Sequence, residues 1–147
     1  MKPQEYLSQL QILDRRIAYR AVRLRRLEGE LDAVRSPWGG RAGGSPSGEA
    51  PYVRLLERLE SEKEELEREN ELRGRLQRQV EETVGRLPDE NMRLVLLYRY
   101  LEEKTYTQIG ELLCMDRSTA WRWAEKALAR LVLPENPISI PAAGQAF

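Results

Sequence analysis

The chain predicts an all-α fold: a long N-terminal helical hairpin of coiled-coil character, followed by a trihelical domain. Three observations point to it. Apolar residues recur at helical spacing through two long segments, residues 1 to 35 and 52 to 87. Between them lies a stretch from 36 to 51 whose five glycines and three prolines exclude regular structure. After them, residues 88 to 133 carry shorter periodic segments with recognisable helix-start signals.

In the first segment Leu10, Leu13, Ile17, Leu24, Leu27, Leu31 and Val34 fit an a/d heptad, with Arg20 standing in one d place. The same helix holds Arg15, Arg16, Arg20, Arg23, Arg25 and Arg26 within twelve residues. Such a run suits either DNA or the acid of a neighbouring helix. Glu57 to Glu71 supplies that acid, with eight acidic residues against three basic, so pairing inside the chain is the favoured reading.

Residues 36 to 51 read as a flexible linker, with Trp38 docked loosely on a helix. The second long helix, 52 to 87, has a stripe of Leu55, Leu56, Leu59, Leu66, Leu72, Leu76, Val80 and Val84, interrupted by Lys63 and Asn70 and weakened at Gly74. Two such helices on a flexible connection make an antiparallel hairpin the simplest arrangement. A two-helix hairpin covers only one stripe on each helix, so residues 1 to 87 are expected to form a homo-oligomer or recruit a partner.

The trihelical domain, 88 to 133, begins at Leu87-Pro88-Asp89-Glu90, where a proline suited to a first turn and two acids favour a helix start. That helix is expected to reach Glu102 and to turn Leu94, Val95, Leu97, Tyr98 and Leu101 inward. Thr105 and Gln108 then form a capping box for a short helix with Ile109, Leu112 and Leu113 on its apolar face. Gly110 is small enough for a second helix to cross closely. Cys114, Met115 and Asp116 make the turn, with Asp116 as N-cap of a longer helix whose inner residues are Ala120, Trp123, Ala127, Leu128 and Leu131. Its other face carries Arg117, Ser118, Trp121, Arg122 and Lys126, the polar and basic residues a helix needs to enter a DNA major groove. Thr105 and Arg130 join Arg117 and Lys126 as candidate phosphate contacts. From Arg117 to Arg130 four basic residues stand against one acidic. The tail from 134 to 147, with three prolines, reads as disordered.

Composition excludes most catalysis. The chain has no histidine and one cysteine, which removes Cys/His zinc sites, Ser-His-Asp and Cys-His arrangements and an intramolecular disulfide. No phosphate-binding loop is present, and the carboxylates of Glu57 to Glu71 lie on a charged helix. No enzyme activity, metal or cofactor is therefore expected. A lone thiol fits a cytoplasmic protein, and without an apolar run long enough for a membrane span none is expected.

The stretch Leu87 to Leu131, with its L-P-D-E start, R-Y-L-E at 99 to 102, T-Y-T-Q-I-G helix, D-R-S-T recognition-helix start and E-K-A-L-A-R-L close, resembles the region-4 domain of sigma-70-type factors. The likeness covers 45 of the 147 residues. The whole layout resembles small prophage-encoded proteins of Gram-positive bacteria, the ArpU/RinA-like regulators of late phage genes. The resemblance implies a helix-turn-helix that reads double-stranded DNA, a role in transcription regulation, and RNA polymerase as a further partner. It does not imply a complete sigma factor, because the first 86 residues hold only Tyr6, Tyr19 and Tyr52 as aromatics outside the linker and offer no platform for unstacked bases. One departure stands out: Cys114 occupies a turn position commonly held by Gly, where positive φ costs a residue with a Cβ about 1 kcal/mol. Two other readings fit the same layout. One is a DNA-packaging protein of the small terminase kind, and the other is an interaction module for polymerase or an anti-sigma protein that does not bind DNA.

Overall fold

A computed structural model of the chain describes residues 1 to 35 and 49 to 141. Its regular structure is helical throughout: α1 (Pro3–Arg35), α2 (Glu49–Gly85), α3 (Glu90–Leu96), a π-helical turn (Leu97–Leu101), α4 (Tyr106–Leu113) and α5 (Arg117–Arg130). Among the described residues no helix is long and apolar enough to cross a membrane. Most of the expected linker, including Trp38, lies outside the described residues. Its last residues do not behave as linker, because α2 starts at Glu49 rather than at Tyr52. Pro51 is tolerated there since the first-turn amides of a helix have no intrahelical acceptor to lose.

The chain divides into two compact units, Arg15–Glu71 and Met1–Asp14 with Leu72–Phe147. In the first, residues paired across the two helical segments run in opposite order. Leu27 and Leu31 bury against Leu59, with Leu24, Tyr52, Leu55 and Leu56 packed around them. Further along, Arg20 lies at 6% exposure between Glu69, reached by its Nε at 2.6 Å, and Glu62, reached by its Nη1 at 3.2 Å. Arg23 adds a second contact to Glu62 at 3.1 Å. The charged residue in the heptad's d place is thus an inward ion-pair centre. Burial opposes the charge on Arg20, but the carboxylates of Glu69 and Glu62 outweigh it and raise the guanidinium's pKa. Val34, expected in the stripe, is 47% exposed.

The second unit is built on Tyr6, Leu7, Leu10 and Leu13 of α1 and Leu76, Val80 and Val84 of α2, all essentially inaccessible to solvent. Asp14 and Arg73 pair at 2.8 Å along one side. Onto this base the unit adds α3, the π turn, α4 and α5, with α5 packed on both α3 and α4. Asp89, not Pro88, begins α3: its Oδ1 accepts from the backbone N–H groups of Asn91 at 2.8 Å and Met92 at 3.4 Å. The α-helix expected to reach Glu102 ends at Leu96 and widens into the π turn, closed by Glu102 N–H donating to the Leu97 carbonyl at 3.2 Å. The wider turn rotates the positions after it. Met92, Val95, Leu96 and Tyr100 are therefore the buried wall, while Leu94, Leu97, Tyr98 and Leu101 are half-buried.

The C-terminal segment also departs from expectation. Residues 134 to 141 have no regular structure, but they are held rather than loose. The Gln79 amide donates to the Asn136 carbonyl at 3.1 Å and accepts from the Ile138 N–H at 2.9 Å. The Gln9 amide donates to the Ile138 carbonyl and accepts from the Ile140 N–H, both at 2.9 Å. Two side-chain amides thereby satisfy alternate backbone groups as a neighbouring strand would. Tyr6 Oη donates to Gln79 Oε1 at 2.7 Å and fixes that amide's orientation. Residues 142 to 147 of the expected tail lie outside the described residues.

The buried charge cluster makes a quantitative expectation. Arg20→Ala should destabilise the chain by about 3 to 5 kcal/mol, because it strands the Glu69 carboxylate, whose Oε2 is already buried without a hydrogen bond. Replacing Arg20 and Glu69 together by leucine should recover most of that loss. Urea titration of the three proteins checks this, and equal midpoints for Arg20→Ala and the native chain would contradict it.

Candidate nucleic-acid interface

The interface is the pair α4 and α5 with the turn between them, and each part follows from local chemistry. Thr105 Oγ1 accepts from Gln108 N–H at 3.2 Å while Gln108 Oε1 accepts from Thr105 N–H at 2.9 Å, completing the capping box that starts α4. Arg99 braces the same point: its Nη1 donates to the Lys104 carbonyl at 3.1 Å and its guanidinium lies 4.5 Å from the centre of the Tyr106 ring. At the far end of α4, Cys114 has φ 56° and ψ 49°, the left-handed conformation that the turn requires. Met115 N–H then returns to the Gly110 carbonyl at 2.8 Å.

Gly110 decides how close α5 can begin. A Cβ on it would sit 2.5 Å from the Met115 carbonyl oxygen and 3.4 Å from the Arg117 nitrogen, both backbone atoms that have no side-chain freedom to move aside. The backbone of Asp116 is extended, as at an N-cap, but its side chain makes no capping hydrogen bond. The expectation of a side-chain cap at Asp116 is therefore corrected.

Ala120, Ala124, Ala127 and Leu131 are the buried residues of this end of the chain, and at about 100° per residue they fall on one side of α5. Trp123 was expected among them and is not: it is half-buried, with the Lys126 ammonium 5.2 Å from its ring centre. An alanine seam lets α5 approach its neighbours too closely for an indole to fit between. Trp123 instead lines an open groove with Pro88, Asp89, Met92, Lys126, Ala129 and Arg130.

All seven candidate contact residues, Thr105, Arg117, Ser118, Trp121, Arg122, Lys126 and Arg130, are exposed. They do not share one face. By the helical period, Ser118 and Arg122 lie opposite the alanine seam, Arg117 and Trp121 on one flank, and Lys126 and Arg130 on the other beside Trp123. Arg122 Nη2 donates to Thr119 Oγ1 at 3.3 Å, one helical turn back. Glu125, which sequence reasoning passed over, is exposed on the outward side, three residues after Arg122 and seven after Ser118. Its register was visible in the sequence, but a lone acid within a basic helix gave no signal of its own. Burial first, then Tyr106 and Glu125, hold the Tyr100 hydroxyl above the usual tyrosine range, while Arg99 opposes them. This surface has no nucleophile and no general base, and among the described residues no cluster of acids and thiols could hold a metal.

The turn geometry can be tested by two substitutions of opposite sign. Cys114→Gly should stabilise the domain by about 1 kcal/mol, because glycine adopts positive φ without the Cβ penalty. Gly110→Ala should cost about 1 to 3 kcal/mol by forcing α4 and α5 apart. Thermal melting of both variants reads the signs directly, and a destabilising Cys114→Gly would refute the account of the turn.

Compared with known family models, curated proteins and solved structures, the chain shows no match.

Proposed function

We propose that the chain is a sequence-specific DNA-binding regulator of transcription, cytoplasmic and of prophage origin, in which α4 and α5 form a helix-turn-helix and α5 enters the major groove. The observation that carries the reading is the combination of the α4 capping box, the left-handed Cys114 and the tight Gly110 crossing with an exposed row of Arg117, Ser118 and Arg122 on the first two turns of α5. That geometry presents donors where a helix-turn-helix reaches base edges. The likeness to sigma region 4 supports the same conclusion and adds RNA polymerase as a partner that the protein recruits or positions. Residues 1 to 87, as a helical hairpin, hold two reading heads together.

Selection from random DNA with the purified full chain tests the reading. A defined motif is expected, and Arg122→Ala should weaken binding to it by about 1 to 3 kcal/mol and relax preference at one base pair. With about four phosphate contacts the salt dependence should have a logarithmic slope of roughly −3 to −4. Unchanged binding by an Arg122→Ala protein of native circular dichroism would remove α5 from the interface.

Self-association has its own support in the large apolar residues that α1 leaves in solvent, Tyr19 at 52% and Val22 at 45% exposure. Tyr19→Glu with Val22→Glu should abolish association in sedimentation velocity while leaving helicity intact. It should also lower affinity for a two-half-site operator by about tenfold or more, since the second head loses its millimolar effective concentration. A doubly substituted protein that sediments and binds like the native one would place the contact elsewhere.

A further inference from the structure

Trp121 is half-exposed, at 49%, on a helix whose packing does not use it. The residues that seat α5 are small, and the other indole of the helix, Trp123, lies under the Lys126 ammonium at the groove with α3. No hydrogen bond or ring contact engages Trp121 among the described residues. By the helical period it stands one turn from Arg117 on one side and Glu125 on the other, next to Ser118 and Arg122, all exposed. A broad apolar surface is therefore set among the polar side chains of the candidate reading face.

Resting on the DNA-binding reading above, we propose that Trp121 is a specificity-determining residue that packs its indole on the C5-methyl group of a thymine in the major groove. The choice of ligand follows from what a groove offers. Guanine, cytosine and adenine present only hydrogen-bond donors and acceptors there, and thymine alone presents an apolar group. An indole face laid over donors or acceptors would strip their water and return no hydrogen bond, which is unfavourable for each group covered. Laid over a methyl group it loses nothing polar and buries apolar area on both sides. Arg117 and Arg122 then serve the polar edges of neighbouring base pairs, so the face combines two kinds of readout on adjacent turns.

The experiment uses the full chain and the site it selects from random DNA. Each thymine of that site is replaced in turn by deoxyuridine, which removes the methyl group and leaves every hydrogen-bonding atom in place. At one position the native protein should bind about fourfold more weakly, the worth of one methylene-sized group removed from an apolar contact. Trp121→Ala should bind the thymine site at least that much more weakly and no longer distinguish the two bases, whereas Trp121→Phe should keep the distinction. Equal melting temperatures for Trp121→Ala and the native chain separate this from a folding defect. The proposal is overturned if the native protein selects a motif but no replacement changes its affinity, or if Trp121→Ala remains sensitive to the methyl group. A native protein that selects no motif at all would overturn the DNA-binding reading itself, and the role of Trp121 with it.

Discussion

The candidate interface depends on a backbone contact. At Gly110, α4 comes so close to the Met115 carbonyl and the start of α5 that a single Cβ would overlap main-chain atoms. Everything on the reading face inherits its position from that approach, because α5 starts within seven residues of Gly110 and the turn between has few ways to close. The left-handed Cys114 is the complementary half of the constraint: reversing direction in three residues requires one positive φ, and here a residue with a Cβ adopts it. The steric cost is tolerated because the capping box at Thr105, the Arg99 brace and the alanine seam of α5 fix the two helices on either side.

Elsewhere in the chain polar groups do work that an apolar core would not do alone. Within the unit Arg15–Glu71, a leucine stripe could slide by a heptad with modest loss, but Arg20 fits only where Glu62 and Glu69 both reach it. A buried charge without its partners is so unfavourable that the cluster specifies one register. In the other unit the amides of Gln9 and Gln79 play a comparable part for residues 136 to 140, taking both backbone groups of Ile138. A segment rich in proline cannot form a ladder with its own kind, but its remaining N–H and carbonyl groups still need partners. Two glutamines at the right spacing on two helices provide them.

The π turn at Leu97–Leu101 shows where periodic reasoning fails. A strict 3.6-residue period placed Leu94, Tyr98 and Leu101 inward, yet one wider turn brings Tyr100 into the core and leaves those residues at its edge. The same limit applies to Trp123. Its spacing from Ala120 and Ala127 matches an inward position, but spacing carries no information about the width of the gap it must fill. A crossing set by Gly110 and alanines leaves no room for an indole, so the ring is displaced to the flank.

What the sequence by itself determined is local. Helix type and extent follow from apolar periodicity, the start of α4 from a hydroxyl and an amide three residues apart, and the turn from the need for a small residue and a positive φ. Each of these depends on atoms within one or two turns of chain. The exposure of Thr105, Arg117, Ser118, Trp121, Arg122, Lys126 and Arg130 was legible for the same reason, since it is set by their register on α5 and at the start of α4. The tertiary structure alone decided that Arg20 meets two particular glutamates and that residues 134 to 141 are held by Gln9 and Gln79. It also decided that Lys126 and Arg130 border a groove rather than continue the row of Arg117 and Ser118. These contacts join residues 42 to 131 positions apart or depend on the distance between helices. Neither quantity is encoded in a residue's immediate neighbours, because it results from all the side chains that must fit between the helices at once.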